Sequence, residues 1–504
     1  MKGYPGTLDQ RPDHVAVIDG DRRLTYRVLH ERASRLVHAL TESGVGFEGT
    51  DDDRLGVMLP NSAEFIECLA ASAKLGAASL TINWHLRPDE LAWVIDDSGI
   101  AGLVTHDDLR PHVEEVAAER SLPVVWVGDD YEARLAAAPS TTLPYRWPTS
   151  WPVLYTSGTS GRPKGVVHGG AADPAVMEMA QEGLSALWGY RSEDVHLAAG
   201  PLYHAGPAGY ATTTLYVGGT VITMGAWDPE RFFRLVERHR VTTTFLTPAH
   251  FIRLLEAGDA VWSTHDLSSL RHVIHAGAPC PRAVKERIVD ALAPAEVWEL
   301  YGMSEGGATR VSVEEWRQRP GTVGRPWPGV ELRIIDPITG EPLSTGADGL
   351  VYVKPAWGRF RYHNDPEKTA DAWLEDAFTV GDIGHVDEDG YLYLTDRQSD
   401  MIIRGGVNVY PRQVEEVLHQ HPAVVDCAVF GVPHDRDGEQ PRAVVEVRSP
   451  VSVDELHAFL RDRLDPYKCP TGIELVDELE RDPNGKVLKR LLRERAWAGS
   501  GRRI

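Results

Sequence analysis

Two hydrophobic periods alternate through the first half of the chain. In "TYRVLHERASRLVHAL", Val28, Leu29, Ala33, Leu36, Val37 and Leu40 recur at helical spacing, which predicts an amphipathic helix with one buried stripe. The unbroken apolar run "RLGVML" predicts a buried strand; "AEFIECLAASAKLG" is helical again as far as Gly76, and "AASLTIN" is strand-like again. Helices alternating with short apolar strands predict parallel α/β sheets. The apolar "PVLYT" then runs directly into "YTSGTSGRPKG". From about Val323 the texture changes. "VGRPWPGVELRIID", "GLVYVKP" and "GYLYLTDR" are short β-rich runs separated by Gly, Pro and Asp, and predict a small barrel or antiparallel sheet. After Asp396 a compact unit begins, with a helix in "PRQVEEVLHQHP" and a strand in "AVVDCAVFGV". Pro411 stands in the helix's first turn, with Val414, Val417 and Leu418 facing inward.

Composition narrows the reading. The 504 residues exceed what one core organises, so two or three domains are expected. The boundary falls at 396–400. The formal charge of −22 argues against nucleic acid or an anionic membrane surface as partner. Cys68, Cys280, Cys427 and Cys469 are scattered, which suggests neither a disulfide framework nor a zinc cluster and fits a cytoplasmic protein. The N-terminus "MKGYPGTLDQRPD" has no apolar stretch of the signal-peptide kind. Val195 to Trp227 carries no Asp, Glu, Lys or Arg, yet six glycines and two prolines interrupt it. It is expected to form buried strands and loops rather than a membrane span.

The densest chemistry lies in "YTSGTSGRPKG". A glycine-rich loop after a strand can turn backbone N–H groups inward and cradle phosphate oxygens. Gly158, Gly161 and Gly165 permit close approach, Thr156, Ser157, Thr159 and Ser160 add donors, and Lys164 adds a compact charge. The nucleotide loop GxxxxGK[ST] is absent, because Lys164 lacks the preceding glycine.

Ten segments in order complete a pattern: "LTYRVL", "MLPNSAEFI", "YTSGTSGRPKG", "PLYHAGP", "HAGAPCP", "ELYGMSEGG", "TVGRPWPGVELRIID", "FTVGDIGHVDEDGYLYLTDRQSDMIIRGGVNVYP", "GVPHDRDGE" and "DPNGKVLKR". Nearly the whole chain resembles the adenylate-forming superfamily of acyl-CoA synthetases, adenylation domains and luciferases. The resemblance implies a multidomain α/β fold. Residues 1–396 would form α/β subdomains plus a small β-barrel, 397–400 a hinge, and 401–504 a mobile α+β domain carrying the catalytic lysine. It also implies a two-step reaction, in which a carboxylate attacks the α-phosphate of ATP and a thiol then displaces AMP.

Residue roles follow from the same resemblance. The loop 156–164 (Thr156, Ser157, Gly158, Thr159, Ser160, Gly161 and Lys164) would grip the β- and γ-phosphates. Gly277, Ala278 and Pro279 of "HAGAPCP" and Gly302 would surround the nucleotide. Tyr301 would stack on adenine, Ser304 meet the α-phosphate and Glu305 hold Mg²⁺. Asp382 would take the ribose hydroxyls, with Arg397 assisting. Lys486 would bridge the carboxylate and the α-phosphate, a task suited to a point charge on a flexible stem; Gly485 before it selects Lys486 over Lys489. Ala276 and Met303 would line the acyl pocket, and His204 would either line it too or gate the thiol passage. Gly405 and Gly406 would flank the coenzyme A channel after the small domain turns about Ser399.

Some positions depart from the family pattern. Ser399 stands where Asp or Lys is frequent, Val380 where Thr is frequent, and Glu480 and Asp482 put negative charge beside Lys486. The leading expectation is an ATP-dependent acid–CoA ligase acting on a bulky hydrophobic acid: long-chain, aryl or polycyclic. Rivals are an enzyme that only thioesterifies a preformed acyl-adenylate, one that loads a separate carrier protein, a luciferase-type oxygenase, and a non-catalytic nucleotide-binding protein. No carrier-protein region follows Lys486, so free coenzyme A is the expected acceptor. The oligomeric state stays open, a homodimer included.

Overall fold

The computed structural model describes residues 3–47, 53–146, 153–156, 163–168, 174–356, 358–483 and 485–498. Among these, three sheets form. The first runs, in spatial order, through Phe360–Tyr362, Lys164–His168, Val153–Thr156, Ala78–Thr81, Arg54–Met58, Gly102–His106 and Val124–Val127. Its last five strands are parallel, and Val153–Thr156 turns antiparallel into Lys164–His168. Helices alternate with these strands as the two hydrophobic periods require. Helix Tyr26–Glu42 begins at Thr25, whose hydroxyl accepts the Val28 N–H, and buries Leu29, Ala33, Leu36, Val37 and Leu40.

The second sheet carries a parallel run of Glu296–Met303, His272–His275, Thr243–Leu246, Val195–Ala198, Thr220–Thr223 and Val15–Asp19. The β-rich stretch after Val323 extends its edge as antiparallel strands. Gly306–Ser312 pairs with Thr322–Pro326, which pairs with Leu392–Arg397, followed by Asp382–Val386 and Gly349–Lys354. A third sheet begins at Ile402–Arg404, just past the strand that ends at Arg397, and includes the long hairpin Val424–His434/Gly438–Val447.

One expectation needs correction. Val195–Trp227 does contain two buried strands, but between them lies the helix Ala205–Tyr216. Its helix-breaking composition is harmless there. Pro207 falls in the first turn, where a missing N–H costs no helical bond. Gly206 packs against Phe245, whose Cζ would lie 2.7 Å from a Cβ at that position. Among the described residues no helix is long and apolar enough to cross a membrane. The four cysteines are buried and free.

The small unit docks on the large one through helix Pro248–Glu256. Val425 joins the core cluster that contains Ile252 and Leu254. Arg448 pairs with Glu256 at 3.2 Å, and the Arg282 N–H donates to Glu416 at 3.1 Å.

Candidate active site

In open parallel sheets, binding residues collect beyond the carboxyl ends of the strands. The segments singled out by the sequence do so here. His204 follows Val195–Ala198, Gly277–Pro279 follow His272–His275, and Ser304 and Glu305 follow Glu296–Met303. Met303 pairs with Gly306, so Ser304 and Glu305 form a two-residue hairpin tip, a geometry that projects both side chains off the sheet.

Two linked neighbourhoods meet at this tip. In the first, Tyr301 Oη donates to Asp382 Oδ2 at 2.7 Å, and Arg397 Nε donates to Asp382 Oδ1 at 3.0 Å. The carboxylate is only 6 % exposed, and each oxygen keeps a second acceptor site. Burial, and then the Asp382 charge, push the Tyr301 phenol well above its usual pKa. Lys486 also lies here. It is exposed, yet lost hydration, and then the nearby Arg397 charge, lower its pKa. No carboxylate lies within salt-bridge distance of Lys486 among the described residues, whereas Lys489 is paired with Glu415 at 2.6 Å. The two lysines thus differ in their surroundings. The two acidic residues of its own segment are otherwise bonded. Glu480 binds Arg495 at 2.6 Å, and Asp482 Oδ1 accepts the Lys486 backbone N–H at 2.9 Å.

In the second neighbourhood, Tyr362 Oη donates to Glu305 Oε1 at 2.7 Å. Lys164 Nζ lies 5.4 Å from the centroid of the same Tyr362 ring, and Lys368 Nζ 5.9 Å. Burial, followed by the adjacent Lys368 ammonium, draws Lys164 down to about 8. Two cations gathered without a paired carboxylate among the described residues make a receptive place for an anion. Below them His168 Nε2 donates to the Ser304 carbonyl at 2.8 Å, tying the strand that carries Lys164 to the hairpin tip. Thr156 pairs with Lys164 across the strands. Ser157, Gly158, Thr159, Ser160 and Gly161 lie outside the described residues. Tyr362 and Lys368 are the residues that sequence reasoning passed over.

The expected acyl-pocket residues divide. Ala276 packs with Trp188, Tyr190, Tyr210, Phe245 and Ile274. Met303 instead borders the cluster of Val166, Phe360, Tyr362 and Phe378, because successive positions of its strand face opposite ways. His204 stands just before the helix that carries Tyr210, its ring 4.4 Å from that of Tyr203, and desolvation lowers its pKa to about 4. It is therefore a neutral imidazole at neutral pH. Gly277 and Pro279 are exposed on a bend, with Ala278 between them half-buried. Gly405 and Gly406 are exposed. They turn the hairpin Ile402–Arg404/Val407–Val409, and nothing lies within 4 Å of a Cβ at either. Ser399 is exposed on a turn in which the Asp400 and Met401 amides donate to the Arg397 carbonyl at 3.0 and 3.2 Å.

Comparison with known proteins identifies the family. The model of the AMP-binding enzyme family matches residues 6–358, and that of the AMP-binding enzyme C-terminal domain matches 413–486. The fatty acid–[acyl-carrier-protein] ligase ScoC of Streptomyces coeruleorubidus is 34% identical over 98% of this chain and 95% of its own. A feruloyl-CoA synthase from an Amycolatopsis species is 35% identical over 96% of each. The ATP-bound structure of MatB from Rhodopseudomonas palustris superposes with a TM-score of 0.87 at 28% identity, covering 100% of both chains. The chain belongs to the AMP-binding enzyme family, and is an AMP-forming acid–thiol ligase of the adenylate-forming superfamily.

Proposed function

We propose that this enzyme activates a bulky hydrophobic carboxylic acid (long-chain, aryl or polycyclic) as its acyl-adenylate and transfers the acyl group to the thiol of coenzyme A in the cytoplasm. The observation that carries this reading is that Lys164 and Glu305 share the Tyr362 ring and hydroxyl, beside the Tyr301–Asp382–Arg397 triad whose Arg397 charge acts on Lys486. The substrate class rests on the likeness to a fatty acid ligase and a feruloyl-CoA synthase.

In the first step a carboxylate oxygen attacks the α-phosphorus of ATP, the bond to the bridging oxygen breaks, and pyrophosphate leaves. Two anions are brought together, so the step needs fixed positive charge more than it needs proton transfer. Lys486 reaches between carboxylate and α-phosphate. Lys164 and Lys368 sit where the departing phosphates accumulate charge. Asp382 is held by Tyr301 and Arg397 with acceptor sites to spare for ribose hydroxyls. Glu305 suits Mg²⁺: among the described residues no cluster of three acidic, His or Cys side chains is arranged for a metal, and Mg²⁺ favours one carboxylate completed by phosphate oxygens and water. When bound, it would neutralise charge on the leaving phosphates. In the second step the thiol attacks the acyl carbonyl and AMP leaves. The Gly405–Gly406 hairpin faces solvent here, so the passage it would flank requires the small unit to turn about Ser399.

A second reading, transfer to a carrier protein instead of coenzyme A, is favoured by the likeness to ScoC. Both are tested by offering a panel of bulky acids, and separately their synthetic adenylates, with ATP, Mg²⁺ and either coenzyme A or a phosphopantetheinylated carrier, and following products by mass spectrometry. Acid-dependent pyrophosphate release with acyl-CoA is the expected result. Product from adenylates alone, with no acid releasing pyrophosphate, would reduce the enzyme to thioesterification.

A further inference from the structure

Helix Pro248–Glu256 of the large unit meets the Lys486 loop once directly and once through a relay. Ala249 lies directly against Gly485, where a Cβ would come within 2.5 Å of Ala249 Cβ and where φ is +82°. One helical turn on, Arg253 reaches the same loop through a chain of charges. Its Nη1 donates to Glu446 Oε1 at 3.1 Å and its Nη2 to Glu478 Oε1 at 3.1 Å. The other oxygen of Glu446 accepts from Arg481 Nη2 at 2.9 Å and from the Leu479 N–H at 3.1 Å. Arg481 Nη1 in turn donates to Asp426 Oδ2 at 2.7 Å and to the carbonyl of Gly485 at 3.1 Å. Gly485 is bonded to Lys486.

Glu446 has a side chain only 3 % exposed against 32 % for Arg253. A carboxylate so far from water needs cationic partners, and it draws one from each side of the interface. Arg481 belongs to the small unit and moves with it, while Arg253 does not. The Arg253–Glu446 bond therefore exists only while the small unit is docked as it is here, and a contact made in one of two arrangements biases the equilibrium toward that arrangement. The Arg448–Glu256 pair and Val425 add to the docking without reaching the lysine's loop.

We propose that Arg253 is a positioning residue of the adenylation half-reaction: through Glu446 and Arg481 it fixes the Gly485 carbonyl and holds Lys486 in the cleft. This rests on the reading that Lys486 serves adenylate formation. The test uses full-length Arg253→Ala and Arg253→Lys beside Lys486→Ala, with the half-reactions measured separately: acid-dependent exchange of pyrophosphate into ATP, and thioester formation from synthetic adenylate. Arg253→Ala should lower the exchange kcat about tenfold, as loss of a charged hydrogen bond does, leave KM for ATP unchanged and leave thioester formation at the wild-type rate. Arg253→Lys should recover part of the loss. Equal loss in both half-reactions, or no loss in either, would overturn the relay. Undiminished exchange in Lys486→Ala would instead overturn the reading on which it rests.

Discussion

Two loops of the small unit, each built around glycine, sit in opposite surroundings. The 481–487 loop is clamped: Arg481 ties it to Asp426 and Glu446, its Asp482 closes on the Lys486 amide, and Gly485 is pressed against Ala249 of the large unit. At Gly405 and Gly406, with φ of +59° and +83°, a Cβ would meet nothing within 4 Å, and the flanking Ile403 and Val407 are 50 % and 49 % exposed. One body carries both loops and offers only one of them to the cleft. On the proposed reading, two steps with incompatible needs, a cation for the first and a narrow thiol passage for the second, would be separated by the orientation of a domain rather than by two sites.

Removing the docked tool should break the comparison most severely. Lys486→Ala should cut acid-dependent pyrophosphate exchange about a thousandfold, the scale of losing one electrostatic contact made in the transition state, and leave thioester formation from supplied adenylate nearly untouched. Lys489→Ala removes a cation bonded to Glu415 rather than one aimed at the cleft, so it should lower the melting temperature more than it lowers exchange.

The stowed tool gives the opposite pattern at smaller scale. Gly406→Val adds bulk that open space accommodates in the docked arrangement, although φ of +83° strains a β-branched residue. Exchange should stay within about twofold, while thioester formation falls roughly tenfold or more if the hairpin flanks the proposed thiol passage, which would tolerate no side chain. If exchange fell as far as thioester formation, the strain would be disturbing the whole unit and the hairpin would have no separate role.

How much of this was legible in the sequence depends on whether the information was local. Helix Tyr26–Glu42 showed in its period, and Tyr301, Asp382, Arg397 and Lys486 in short motifs whose neighbours set their surroundings. Helix Ala205–Tyr216 did not show, because Gly206, Pro207 and Gly209 look like breakers until Phe245 is seen against Gly206. Tyr362 and Lys368 were missed because "YHNDPEKT" reads as a turn and a cap. Asp365 does cap helix Pro366–Ala372, accepting the Lys368 N–H at 3.0 Å. The available signal was a local conflict: a lysine in the first turn opposes the helix dipole, and such conflicts gather at functional sites. The Arg253–Glu446–Arg481 chain joins residues 193 and 35 positions apart, and no local pattern encodes it.

The mildest effect isolates the lysine pair from the docked loop. Lys164, drawn down to about 8, binds phosphate best while protonated, so kcat/KM for ATP in the exchange reaction should hold level below pH 8 and decline above it. That quantity reports the free enzyme. Bound polyphosphate stabilises the ammonium, and the break in kcat should therefore appear at higher pH. Lys368→Ala removes the neighbouring like charge. The break in kcat/KM should then move upward toward lysine's ordinary range, even as the plateau falls a few-fold for want of the second cation. The position of the break is the decisive readout, because loss of a purely structural lysine would lower the plateau and leave the break where it was.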